Sequence, residues 1–167
     1  IDPSTNDIHI LLFDINADNS TSGGMIGFFW AKDNYLQDPA DTYIATSNER
    51  LMFYLDSVLL STPDTAGSWA IDDFWPSAII GTLAHEFQHM IHFYEKSVAD
   101  DIISETWLNE MCSQVAEDIV ANKVNIYGPR GVSYNDGSAG SSENWRGQLP
   151  LYNLFNYIQV TSWNSYL

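Results

Sequence analysis

An apolar segment that carries three of the chain's four histidines constrains this sequence more than any other feature. Residues 83–93 read L-A-H-E-F-Q-H-M-I-H-F, so imidazole rings are placed among aliphatic and aromatic side chains. An imidazole that is buried without a hydrogen-bonding partner is costly, so three such rings on one apolar segment need an explanation. The pattern allows a metal site, a cluster of structural hydrogen bonds, or coincidence.

The segment is predicted to lie on a helix over residues 77–96, because Pro76 suits a first helical turn. Apolar residues recur at spacings of three and four and form one stripe: Leu83, Phe87, Met90, Ile91 and Tyr94.

His85, Glu86 and His89 form the pattern H-E-x-x-H on this helix. Residues four apart lie on one helix face, about 6 Å apart along the axis, so both imidazoles can bind one zinc ion. Glu86 is one residue along, where its carboxylate can take a proton from a water molecule.

A catalytic zinc site needs a third protein ligand and one vacant position. Glu95 lies about 15 Å from His85 along an unbroken helix, which is too far. His92 cannot join a compact set that contains His85, and it is expected behind the ligands or at the surface. The third ligand must therefore come from another element.

A second amphipathic helix, predicted over residues 104–123, offers three acids. It is expected to run antiparallel to the first helix, which brings its first turns back over the histidines. Glu105 suits the helix start for electrostatic reasons alone, and the spacing places Glu117 too far along. Glu110 is the predicted ligand. The inward-facing residues are predicted to be Trp107, Leu108, Met111, Val115, Ile119 and Val120.

The predicted elements place strands before helices, which indicates an α+β fold with an N-terminal sheet packed on the histidine helix. The predicted strands span residues 8–13, 25–30 and 51–60. A loop over 128–144 and a third helix over 149–160 complete the chain. We expect one subdomain over residues 1–96 and a mainly helical one over 97–167.

Several strings resemble a known group of enzymes. H-E-F-Q-H-M followed by E-T-W-L-N-E is similar to the gluzincins, which combine H-E-x-x-H with a downstream glutamate. G-F-F-W-A-K-D-N-Y, S-N-E-R-L-M-F-Y-L-D and A-E-D-I resemble the hyicolysin-type family of secreted bacterial metallopeptidases.

This resemblance implies a zincin-like fold with a mixed sheet and a secreted bacterial protein. It also implies that His85, His89 and Glu110 bind Zn²⁺ and that Glu86 is the general base. Related enzymes often place a carboxylate one turn after the ligand glutamate to orient a histidine. This chain has Gln114 at that position, and its amide oxygen can still accept an N–H bond.

Composition narrows the possible partners. The formal charge of −16 repels a phosphate backbone and an anionic membrane surface, so neither nucleic acid nor membrane is expected. A single cysteine, Cys112, excludes an internal disulfide. The first residue is Ile1, so we expect a portion of a longer protein. Asp14, Asn16, Asp18 and Ser20 suggest a Ca²⁺ loop, although a solvated turn is favoured.

The hypothesis is a zinc-dependent endopeptidase acting on protein or peptide substrates. Tyr134 and Tyr152 are the preferred candidates for stabilising the oxyanion. The further candidates are Tyr127, Tyr157, Tyr166, Arg130 and Arg146. Two alternatives remain open: an inactive or truncated domain that only holds metal, and an aminopeptidase-type gluzincin. The latter is weakened because no G-x-M-E-N string is present.

Overall fold

The computed structural model describes residues 7–124 and residue 126. The chain divides into two compact units, with the boundary between Ile79 and Ile80. The predicted loop over residues 128–144 and the helix over 149–160 lie outside the described residues.

A mixed three-stranded sheet forms the first unit's core. Its strands are β1 (His9–Phe13), β2 (Gly27–Phe29) and β3 (Met52–Asp56), in the order β1-β3-β2. β1 runs parallel to β3, and β2 runs antiparallel to it. β3 is the central strand of this sheet, and each of its five residues is buried. The predicted α+β class and the mixed sheet are confirmed.

The third predicted strand ends earlier than the sequence pattern suggests. β3 stops at Asp56, and residues Ser57–Ser61 form helix α1 instead of continuing the strand. The Asp56 carboxylate accepts the backbone N–H of Leu59 at 2.7 Å, which caps α1, and that of Ile15 at 2.9 Å. The apolar run to residue 60 therefore contains the N-cap of a helix as well as a strand.

Two long helices follow the sheet. Helix α2 spans Phe74–His92 and continues as π-helical turns over Phe93–Ala99. It begins before Pro76 because the Asp64 carboxylate accepts the Phe74 N–H at 3.1 Å. Helix α3 spans Thr106–Val124. No helix among the described residues is both long and apolar enough to cross a bilayer.

The predicted inward face of α3 is partly wrong. Val115 and Ile119 are 52% and 63% exposed, so they do not contribute to a core within the described residues. The buried positions of α3 are Ser113 and Ala121. This helix contacts α2 through polar side chains.

A group of polar side chains, all buried except the exposed Asn48, joins two of the strings on which the family resemblance rests. Asp33 is fully buried. Its carboxylate accepts the backbone N–H of Asn48 at 2.9 Å and the hydroxyl of Tyr54 at 2.5 Å, and it pairs with the Lys32 ammonium at 3.3 Å. Burial and the bond to Asp33 raise the pKa of Tyr54. We call Lys32, Asp33, Asn48 and Tyr54 the Asp33 cluster.

The candidate calcium loop is a turn held by its own carboxylates. Both oxygens of Asp14 accept the backbone N–H of Asn19 at 3.1 Å, and Asp18 accepts that of Ser20 at 2.8 Å. Asn16 and Asn19 adopt positive φ angles of 66° and 53°, which asparagine tolerates better than most residues. Calcium binding at this turn stays a prediction.

Candidate metal centre

His85, His89 and Glu110 converge where α2 and α3 face each other. One potential ligand atom from each residue lies within 4.8 Å of those of the other two. Over the part of the chain that the structure describes, this is the only such group of three or more histidine, cysteine, aspartate or glutamate residues. The structure therefore brings the predicted acid, Glu110, next to the two histidine rings.

The distances within this group suit a zinc ion. His85 Nε2 lies 3.1 Å from Glu110 Oε2, and His89 Nε2 lies 3.5 Å from Glu110 Oε1. Two ligands at the corners of a tetrahedron with bonds of about 2.0 Å are about 3.3 Å apart. Two imidazole nitrogens and one carboxylate oxygen are also a donor set that zinc prefers. The residues present thus fit the metal that the motif implies.

The other ring nitrogen of His85 is held by a carboxylate. His85 Nδ1 donates to Glu117 Oε1 at 2.6 Å, so the neutral form of the ring carries its lone pair on Nε2, which lies 3.1 Å from Glu110. The amide nitrogen of Gln114 donates to the same Glu117 oxygen at 2.9 Å. Helical spacing predicts that Glu117 lies too far along α3, and the family resemblance implies that Gln114 orients the ring. In the structure Glu117 contacts the ring, and Gln114 supports Glu117.

The other ring nitrogen of His89 has a different environment. His89 Nδ1 lies 3.1 Å from the hydroxyl of Ser113, and this hydroxyl donates to Gln88 Oε1 at 2.6 Å. Ser113 is completely buried. Both imidazoles therefore present Nε2 to Glu110 while a side chain occupies Nδ1.

Helical spacing explains why these groups meet. Polar residues on α3 recur at i, i+3, i+4 and i+7, which places them on one face: Glu110, Ser113, Gln114 and Glu117. Polar residues on α2 do the same over one turn: His85, Gln88 and His89. His85 contacts Glu117 while His89 contacts Glu110, so the helices run antiparallel, as predicted. The recurrence of polar residues at helical spacing on α3 is the sequence signal that could have identified Ser113 and Glu117. A prediction based only on the apolar face of the helix misses both residues.

The charges of this group shift the proton affinities of its members. Burial lowers the pKa of His85, but its bonds to Glu110 and Glu117 and the charges of Glu117 and Glu86 outweigh that effect and raise the value to about 10. Burial likewise lowers the pKa of His89, but its bonds to Glu110 and Asn109 and the charges of Glu110 and Glu86 outweigh that effect, so the net shift is upward. The bonds from both histidines lower the pKa of Glu110 to about 2. Such a strongly negative environment favours a bound cation.

Glu86 lies close to both rings and is shielded from solvent. Its residue is 8% exposed, and its negative charge raises the pKa of both His85 and His89. The side chain of Glu110, in contrast, is 33% exposed, against 15% for His85 and 14% for His89. Solvent therefore reaches the centre from the side of Glu110.

The remaining sequence candidates lie elsewhere or outside the described residues. His92 is half-buried and does not join the ligand group; burial and the charges of His89 and Lys96 lower its pKa. Glu95 and Glu105 are exposed, and Cys112 is a free, half-buried thiol outside the group. Tyr134 and Tyr152 lie outside the described residues.

Comparison with known proteins identifies a peptidase family and a metalloprotease to which the chain is similar. The profile of the family described as Peptidase M30 matches residues 1–136. The chain is 26% identical over 119 residues to the neutral metalloprotease ShpI of Staphylococcus hyicus, and the match covers 70% of this chain. It covers 24% of that relative, so the chain spans about a quarter of the relative's length. No solved structure matches the chain. Because the family profile covers well over half of the sequence, and because the helix motif and its glutamate converge in space, this chain belongs to the peptidase M30 family.

Proposed function

We propose that this chain is the catalytic part of a zinc-dependent endopeptidase. The observation that carries the proposal is the meeting of Glu110 with His85 and His89 while Glu86 lies buried beside both rings. Membership of the peptidase M30 family and the likeness to a neutral metalloprotease support the same activity. A site that only stored metal would not need a shielded carboxylate next to its open side.

The ligands in this proposal are Nε2 of His85, Nε2 of His89 and the carboxylate of Glu110. A bound zinc ion would supply Lewis acidity, which activates a water molecule and polarises the carbonyl of the scissile peptide bond. Glu117 keeps the His85 ring in the form whose Nε2 carries a lone pair, because its oxygen accepts the Nδ1 proton. The partly exposed Glu110 leaves one side of the centre open to substrate.

Glu86 acts as the general base and then as the general acid. Its carboxylate takes a proton from the water whose oxygen attacks the carbonyl carbon. As the C–N bond breaks, the same carboxyl group gives that proton to the departing amine nitrogen and returns to its ionised form. Burial of Glu86 keeps bulk water from competing for the proton.

The substrate in this proposal is an extended peptide segment of a protein. Tyr134 and Tyr152 are proposed to donate a hydrogen bond to the oxyanion, since one donor opposite the metal is needed. The protein is proposed to be secreted by a bacterium, in keeping with the family resemblance of its sequence strings.

Replacing Glu86 with glutamine tests the proposal directly. Glu86→Gln keeps the shape and hydrogen-bonding capacity of the side chain but cannot accept the proton. We expect the variant to bind zinc in a 1:1 ratio while its rate of casein cleavage falls by about 10²–10⁴-fold. Zinc content is measured by atomic absorption, and turnover is measured with a fluorescent casein.

Glu95→Gln is the matched control, because Glu95 is exposed and follows the same helix. It should keep both zinc and turnover. Wild-type turnover by Glu86→Gln would contradict the mechanism. Zinc binding without any turnover in the unsubstituted chain would favour the metal-holding module instead.

A further inference from the structure

The two histidines of the centre have unlike partners on their Nδ1 atoms. His85 meets the carboxylate of Glu117, whereas His89 meets the hydroxyl of Ser113. The Ser113 hydroxyl is itself bonded to Gln88, the residue that precedes His89 on α2. A neutral hydroxyl and amide therefore occupy the place that a carboxylate takes for the other ring.

Counting protons fixes the direction of each bond. A serine hydroxyl has one proton, and Ser113 donates it to Gln88 Oε1 at 2.6 Å. Its oxygen can then only accept at the 3.1 Å contact with His89, so Nδ1 of His89 must carry the proton. In the neutral ring that binds zinc, the lone pair of His89 is consequently on Nε2, on the side of Glu110. Gln88 thus determines the tautomer of His89 through Ser113, without touching the reacting atoms.

Burial makes this arrangement hard to replace. Ser113 has no exposed surface, so a water molecule cannot readily take over when its hydroxyl is removed. The relay also joins the two helices, since Gln88 and His89 belong to α2 and Ser113 belongs to α3. The His89 ring is held from behind by α3 while it faces Glu110 of the same helix.

We propose that Ser113 and Gln88 are positioning residues that form a hydroxyl–amide relay and hold His89 in its zinc-binding tautomer. The inference rests on the proposed function, because it takes His89 as a zinc ligand. A neutral relay orients the ring without adding a further negative charge to a centre that already contains Glu86, Glu110 and Glu117. His85 has the charged carboxylate of Glu117 as its hydrogen-bonding partner. His89 has the neutral hydroxyl of Ser113, which orients the ring without a charge.

The relay predicts opposite effects for two changes at residue 88. In Gln88→Met the Ser113 proton loses its acceptor and turns to His89 Nδ1, which favours the tautomer that cannot bind metal through Nε2. We expect the dissociation constant for zinc to rise by about 10-fold, as is usual for an orienting partner of a ligand. In Gln88→Glu the acceptor is kept and becomes anionic, so zinc should bind at least as tightly as to the unsubstituted chain. A side chain that mattered only for packing would be disturbed more by the charged glutamate than by methionine.

The experiment measures zinc affinity by competition with a chromogenic chelator, together with the ¹⁵N shifts of His89 in the zinc-loaded chain. Ser113→Ala should weaken the binding of zinc about 10-fold. Cys112→Ala removes a sulfur from the neighbouring position of α3, outside the ligand group, and should bind zinc normally. The unsubstituted chain and Gln88→Glu should show His89 protonated at Nδ1.

Two results would overturn the relay. One is zinc binding by Ser113→Ala within about twofold of the unsubstituted chain; the other is weaker binding by Gln88→Glu than by Gln88→Met. Either result would reject the relay alone and would leave the proposed zinc centre standing, provided that the unsubstituted chain binds zinc. Failure of the unsubstituted chain to bind zinc would instead reject the proposed function and the relay together.

Discussion

Glu117 gives His85 a partner with a full negative charge, which raises the proton affinity of the ring in the metal-free protein. The His85 ring lies between Glu117 at 2.6 Å and Glu110 at 3.1 Å. Without a metal, a proton on the ring is the cation that these carboxylates stabilise. The folded chain therefore holds that proton to a pKa of about 10, against an ordinary value of 6.5.

This arrangement predicts how the stability of the metal-free chain depends on pH. A histidine whose pKa is raised on folding stabilises the fold fully below its unfolded value and loses this contribution as pH rises. For His85 the loss extends from pH 6.5 to about 10. For Glu110, lowered from 4.5 to about 2, the contribution is present above pH 4.5 and is lost as the pH falls toward 2. The contribution of this pair is thus greatest between pH 4.5 and 6.5.

Urea unfolding of the chelator-treated chain across this pH range measures the effect. In Glu117→Gln the fall in unfolding free energy above pH 6.5 should be shallower, because one of the charges that raise the pKa of His85 is gone. Glu105→Gln, at an exposed position before α3, serves as the control and should keep the full fall. An unchanged slope in Glu117→Gln would show that Glu117 does not charge the ring.

Among the helices and strands, local patterns predicted most of what the structure contains, but they failed at the end of β3 and on one face of α3. The apolar run to residue 60 reads as one strand, yet the Asp56 carboxylate caps a helix at its end. On α3 the aliphatic residues Val115 and Ile119 suggest an inward face, yet the side that meets α2 is polar. A helix that packs around a charged centre reverses the usual rule that the apolar stripe is buried.

The Asp33 cluster shows how a polar segment can anchor the sheet unit. Asp33→Asn removes the charge that compensates the buried Lys32 ammonium, while its shape is kept. We expect the unfolding free energy to fall by about 3–5 kcal/mol, because an ammonium ion is left buried without its partner. Urea denaturation followed by tryptophan fluorescence measures the change.

Asp38→Asn is the control for this change. Asp38 is exposed, and its side chain accepts the backbone N–H of Ala40, a bond that asparagine also makes. Its effect should stay within about 0.5 kcal/mol. If both variants lost the same small amount, the Lys32–Asp33 pair would not stabilise the sheet unit.

For the molecule as a whole, the chain spans about a quarter of its staphylococcal relative, yet His85, His89 and Glu110 are brought together by one helical pair within the described residues. His85, His89 and Glu110 were predictable because H-E-x-x-H and an antiparallel helix leave little freedom for the third ligand. The side chains that contact Nδ1 of each ring were not predictable from the sequence. The choice between Gln114 and Glu117, for example, depends on how the two helices are rotated about their axes. Sequence spacing does not fix that rotation.

X-ray absorption at the zinc edge, recorded on the 167-residue chain loaded with one equivalent of zinc, tests the ligand set most directly. If His85, His89 and Glu110 bind the ion, zinc should have only nitrogen and oxygen neighbours at about 2.0–2.1 Å, with the scattering pattern of two imidazoles. Replacing Glu110 with alanine should abolish tight binding of that equivalent. A sulfur neighbour at about 2.3 Å, a single imidazole, or no bound zinc would contradict this set of ligands.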